Sequence, residues 1–328
     1  MPRPTIIAIA SIMFASTGVC PLASQDAPYP SKPIRVIIPS SAGAGTDVAG
    51  RMVATAAERH LGQPFVVENR PGAGGRIGAA FVAKAPADGY TLLYSAKPTL
   101  TIHQYLSKPK PSFDAEKDFT PVSIMVRAPA LLVVRSSFPA RTVKEFVAYA
   151  RKNPGKVTFG IQGVGNEFHV SLQMLREAAD IKLIAVPYPG GAPAIVDLLG
   201  DRLDAMILVP AAITEHLASG KLVALATLEP KRAPDHPDVP TIAEAGLPQV
   251  SGSPWFGFVA PGATPPSAIR RLADAFAKLS ADGELVSRLG KLGYTLSVEG
   301  PADFAAVLKK ERREYSKFAA GGRLEKPN

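Results

Sequence analysis

IRVIIPSSAGAGTDV, residues Ile34 to Val48, sets how the rest of the chain is read. Ile34 to Ile38 is an apolar run broken only by Arg35, as in a strand covered on both faces, and Pro39 ends it. Small residues follow, Ser40, Ser41, Ala42, Gly43, Ala44 and Gly45. Thr46 is then a candidate N-cap, with Asp47 in the first helical turn. A stripe through Val48, Met52, Val53, Ala56 and Leu61 carries the helix to Gly62. Such a loop lets backbone N–H groups approach a ligand closely, and the helix start adds unpaired donors and positive dipole, which suits an anion. Two phosphate-binding loops are excluded by position. Counting on from Gly43 and Gly45 puts Val48 where a dinucleotide fingerprint needs its third glycine, and the Lys of a Walker loop is absent. A tight turn that needs glycine only for its positive φ is the competing structural reading.

The same grammar recurs outward from this unit. Short β-branched runs at 65–68 and 90–94, then 157–160, 183–187, 203–208 and 222–227, alternate with Ala-rich helical stretches, the pattern of βα units around mostly parallel sheets. Thr142 and Glu145 form a capping-box pair, and helices begin near Asn166, Gly191 and Ala211. A strand at 255–259 precedes helices at 266–279, 284–289 and 301–318. These last helices need a sheet to cover, so the chain's end is expected to return to the first half. The expected organisation is a signal peptide over 1–25, domain I from 26–126 with 252–328, and domain II over 127–251. Crossings near 123–130 and 250–254 would act as a hinge. An α/β two-domain binding protein of this kind holds its ligand between facing strand ends.

Composition narrows the function. The chain has 328 residues, 37 Lys+Arg against 28 Asp+Glu, and 46% hydrophobic residues, enough for two cores. Its single cysteine, Cys20, excludes a disulfide framework and a thiolate metal site. Arg3, the apolar run from Ile6 to Phe14, and the small residues after it read as a secretory signal, so the mature chain is expected in the periplasm. Lipidation of Cys20 competes, against a branched Val19 where a lipoprotein signal places a small residue. Nucleic acid is not expected, because the longest basic cluster, Lys309, Lys310, Arg312 and Arg313, is interleaved with Glu311 and Glu314 as on a solvated helix face.

A second glycine loop, Gly163, Val164, Gly165, Asn166, Glu167, Phe168 and His169, repeats the strand, glycine and helix-start order. Two such loops facing one crevice suit a carboxylate, with Lys97 as a candidate counter-charge and a solvated surface lysine as the competing reading. Enzyme chemistry finds little footing. No Ser sits in a nucleophile elbow, the five His residues are dispersed, and no metal or cofactor is expected. An exported hydrolase using Glu167 and His169 is the rival reading.

Ten ordered blocks, among them YPSKPIRVIIP, LGQPFVVENRPGAGGRIGA, YARKNPGKVTFG, VPYPGGAPAIVDLLGDRLD and WFGFVAP, resemble the Bug (TctC-like) receptors of tripartite tricarboxylate transporters. The resemblance implies a periplasmic receptor that closes on a small organic acid and delivers it to a large and a small membrane subunit. A ligand-sensing subunit for a membrane sensor is the alternative within that chemistry. Carried over by position, the implied ligand residues are Ser40, Ser41, Gly43, Ala44, Gly45, Thr46 and Asp47 in the first loop, then Gly165, Asn166, Glu167, Phe168 and His169 in the second, with Lys97, Tyr188 and Val209 at strand ends. The chain departs from the family pattern at Ser40, Ala42 and Ala44, usually Phe, Pro and Gly. It departs also at Asn166, Glu167 and Phe168, at Pro189 for a common Lys, and at Leu208 and Val209 for a common Asp or Asn. Fewer hydroxyls and the added Phe168 ring imply a more apolar ligand than citrate, an aromatic or longer-chain carboxylate.

Overall fold

The computed structural model describes residues 29–162, 166–232 and 236–320. The chain begins β1 (Ile34–Ile38), α1 (Gly45–Leu61), β2 (Phe65–Asn69), α2 (Arg76–Ala83) and β3 (Thr91–Ala96), then two short helices, α3 (Lys97–Leu100) and α4 (Ile102–Leu106), and β4 (Phe119–Arg127). It continues through β5 (Leu131–Arg135), α5 (Val143–Lys152), β6 (Val157–Ile161), α6 (Glu167–Ala179), β7 (Leu183–Pro187), α7 (Gly191–Leu199), β8 (Ala205–Leu208), α8 (Thr214–Ala218) and β9 (Leu222–Thr227). It closes with β10 (Trp255–Pro261), α9 (Pro266–Ala277), α10 (Gly283–Gly290), β11 (Thr295–Glu299) and α11 (Pro301–Ala320).

Two sheets result, with strand orders β11-β4-β10-β3-β1-β2 and β7-β6-β8-β5-β9. The α/β two-domain architecture is the expected one, but both sheets are mixed. β1 pairs in parallel with β2 and β3, whereas β10 returns antiparallel between β3 and β4. In the second sheet β6 is parallel to β7 and β8, and β5 is antiparallel to β8 and β9. The strands entering from the crossings break the parallel pattern, since each arrives without a helix to reverse it. The chain passes from one sheet to the other between Arg127 and Leu131 and returns between Thr227 and Trp255.

Each sheet buries apolar side chains on both faces. In the first, Phe276 of α9 stacks on Phe258 at 4.6 Å and on Phe65 at 6.2 Å, while Trp255 meets Phe304 of α11 edge-on at 5.0 Å across the opposite face. A large apolar side chain taken fully from water contributes about 1.5–3 kcal/mol, so these rings dominate the layer. α1 lies close to its sheet because its inner face is small. Ala49, Gly50, Val53, Ala54 and Ala57 are buried, and a Cβ on Gly50 would sit 2.7 Å from Ile38 and 2.6 Å from Tyr94. The buried face is therefore turned slightly from the expected Val48 and Met52 stripe, both of which stay half-exposed. α5 has the expected capping box, the Thr142 side chain accepting from the Glu145 amide and Glu145 reaching back. The core of the second domain also takes in Ile102 of α4 and Tyr315 of α11, so α11 spans both cores. Among the described residues no helix is long and apolar enough to cross a membrane. The expected signal peptide lies outside them.

Candidate functional site

The loop after β1 is built as a donor array. Pro39 is buried, Ser41, Ala42, Gly43 and Gly45 are exposed, and Ser40 is half-buried with its Oγ shut from solvent and unpartnered among the described residues. Gly43 adopts φ 80°, where a side chain would be strained. α1 starts at Gly45 with no side-chain cap at Ala44, so Gly45, Thr46 and Asp47 present their N–H groups outward, as the first turn of any helix must. Thr46 is thus inside the helix rather than its cap. Seventeen residues of aligned dipoles stand behind these donors.

Asp47 braces this array. Its carboxylate is 2% exposed and accepts the Gly43 amide (2.9 Å), Asn69 Nδ2 (2.7 Å) and Arg51 Nε (2.9 Å). Burial raises its pKa, but these hydrogen bonds outweigh burial and hold the acid below its ordinary value. Both oxygens are therefore committed to the protein. Asn69, at the end of β2, is also tied to the Ser40 carbonyl (3.0 Å).

Gly163, Val164 and Gly165 of the second loop lie outside the described residues. Asn166 caps α6, accepting from the His169 amide at 3.0 Å and donating to the Gln162 carbonyl at 2.9 Å. Glu167 is half-buried at the helix start, and burial raises its carboxyl, with Lys97 and Glu311 within electrostatic reach. His169 is 2% exposed, and burial lowers its pKa, which favours the neutral imidazole. The Phe168 ring is 6% exposed and packs inside the second-domain core.

Lys97, a candidate counter-charge or a surface lysine from sequence, is 1% exposed and ion-paired with Glu311 of α11 at 2.9 Å. Burial opposes its charge, but Glu311 and Tyr315 more than restore it. Trp255 Nε1 donates to both Glu311 oxygens at 3.2 Å, so Glu311 is held by Lys97 and Trp255 together. Tyr188 spends its hydroxyl on Asp197 Oδ2 at 2.8 Å, and its pKa is pushed up to about 12 by burial and that carboxylate. Val209, just past β8, packs against the cores of both domains.

Sequence reading missed two contributors, Tyr294 and Gly293, and placed Gln162 in the second loop without its partner. Tyr294 places its hydroxyl against Gly45, where a Cβ would collide with it, so the residue before β11 roofs the start of α1. Gly293 (φ +74°) meets Ala211 so closely that no Cβ fits, which brings the turn before β11 onto the turn after β8. Gln162 donates its side-chain amide to the Ile207 carbonyl at 3.1 Å, linking the ends of β6 and β8. The glycine at 293 marks a turn in sequence, but nothing local names its partner. Among the described residues no group of three His, Cys, Asp or Glu side chains could hold a metal ion.

This geometry has known counterparts. The family described as Tripartite tricarboxylate transporter family receptor matches residues 48–313. Protein BugT of Bordetella pertussis is 37% identical over 269 residues, covering 82% of each chain. A TctC solute-binding protein from Polaromonas, solved with no ligand, superposes with a TM-score of 0.82 at 31% identity, covering 89% of this chain and 99% of its own. An R. palustris protein solved with adipate gives 0.69 at 32% identity, covering 89% and 98%. The chain belongs to the tripartite tricarboxylate transporter receptor family, a family of periplasmic solute-binding proteins and not of enzymes.

Proposed function

We propose that this receptor captures a small carboxylate between the loop 40–47 and the start of α6, and hands it to the large and small membrane subunits of a tripartite transporter. The observation that carries the reading is the uncapped, solvent-facing start of α1, whose Gly45, Thr46 and Asp47 amides have no acceptor outside their own helix among the described residues. With Lys97 neutralised by Glu311, those amides and the helix dipole are the anion-attracting groups of the first loop. Ser41 and Thr46 add hydroxyls around them, and Asn166 and Glu167 face from the second domain. Closure would run about the two crossings, moving residues 127–251 against 26–126 with 252–328. Export through the segment 1–25 places this capture in the periplasm. Since Phe168 is a core side chain, the ligand expected is a small aliphatic acid rather than an aromatic one.

The test is a thermal-shift screen of the mature protein against acetate, malate, adipate, citrate and benzoate at fixed salt. A ligand at a hundred times its Kd adds about 2.7 kcal/mol, roughly 4 °C for a chain of this size. A shift confined to one class of aliphatic acid supports the reading. Equal melting curves across all five contradict it.

A further inference from the structure

The loop 40–47 owes its shape to side chains that do not themselves face the donor array. We infer that Asn69 is a positioning residue for carboxylate capture, acting with Asp47 and Arg51 as a clamp that sets the loop in its binding form before any ligand arrives. Asn69 Nδ2 donates twice, to the Ser40 carbonyl at 3.0 Å and to Asp47 Oδ1 at 2.7 Å. Arg51 fixes Asn69 in turn, donating through Nη2 to its Oδ1 at 2.7 Å and through Nε to Asp47 Oδ1 at 2.9 Å. The other Asp47 oxygen is thereby aimed at the Gly43 amide at 2.9 Å. One amide side chain from the end of β2 therefore ties both the first residue of the loop and the first turn of the helix.

The consequence is a division of donors. Gly43 N–H is consumed by Asp47, which pulls the loop into its left-handed turn, and the amides of Gly45, Thr46 and Asp47 are left for the ligand. Without the clamp, a loop of Ser, Ala and Gly has little to hold it, because these residues carry few contacts and large backbone freedom. A ligand would then have to order the loop as it binds, which weakens affinity. Arg51 also offsets the negative charge of Asp47 beside a site for an anion. The inference rests on the carboxylate reading of this loop for its functional half, but the clamp itself is testable without a ligand.

The experiment uses the full mature chain and Asn69→Ala, with Asn69→Asp as a same-sized second variant that also loses both donors. Amide hydrogen exchange is read first, without ligand. The clamp predicts exchange at Gly43 at least about tenfold faster in both variants, while the amides of β1 and β3 keep their protection. Titration with whichever of malate or adipate stabilises the wild type more should then give a Kd raised at least about tenfold. Thr158→Val, which breaks a side-chain pair with Asp204 at the far end of β6, serves as the control for general loosening. Its Kd should match wild type at a temperature where all proteins are folded. Unchanged exchange at Gly43 in the Asn69 variants, or a Kd loss no greater than that of Thr158→Val, would overturn the clamp. Failure of the wild type to bind either acid would count against the carboxylate reading instead, and leave the exchange result to decide the clamp.

Discussion

Asp47 carries three protein donors on two oxygens, and that arrangement has a pH signature. Its folded pKa is lowered from the ordinary 3.8, so its contribution to stability is fully present above that value and is lost as pH falls through the lower folded pKa. The stability gap between wild type and Asp47→Asn, measured by urea unfolding, should narrow steadily below about pH 4. A gap unchanged down to pH 2 would contradict the bonding assigned to Asp47. Lys97 makes the opposite kind of prediction. Removing it strands Glu311 against Trp255 with no cation, and a buried pair broken on one side costs about 3–5 kcal/mol. Lys97→Met should therefore lower the urea midpoint sharply with little change in slope. Residue identities at these positions are plain in the sequence, yet their roles are not. Lys97 reads as a ligand cation there because its partner stands on α11, far along the chain. Phe168 reads as a site residue because helix starts beside glycine loops face ligands, and its packing into the second-domain core is not visible from that local pattern.

At the scale of elements, local chemistry locates structure well where both ends are punctuated. β1, β7 and β9 fall at the residues expected from apolar runs bounded by Pro or Gly, and the capping box at Thr142 starts α5. β11 escapes such reading. Thr295–Glu299 is a half-exposed edge strand with mixed composition, held by β4 and by the bidentate Arg127–Glu299 pair at 2.6 and 3.0 Å. Tyr294 is missed with it, although it roofs the start of α1. The close seating of α1 is equally a tertiary fact, set by Gly50 against Ile38 and Tyr94. Gly50→Val should cost about 1–3 kcal/mol in unfolding free energy, because neither contact can yield without moving the helix off the sheet. A variant as stable as wild type would mean that α1 has room the structure does not give it.

Across the whole molecule, two short crossings and one long helix join the domains. Their number was legible from the return of helical segments after residue 255, whereas the bridging role of α11 was not. Tyr315 in the second core and Phe304 in the first make that helix part of both cores. Closure on a ligand should contract the molecule, so the radius of gyration from solution scattering should fall when malate or adipate saturates the protein. An unchanged radius at saturation would argue for binding without domain movement. The central claim is narrower, that the exposed start of α1 receives a carboxylate. The measurement that tests it most directly is an amide NMR titration with the acid that stabilises the protein most in the thermal screen. The largest saturable shifts are expected at Gly45, Thr46 and Asp47, with matching changes at Asn166 and Glu167. Saturation with those five amides unmoved would contradict it.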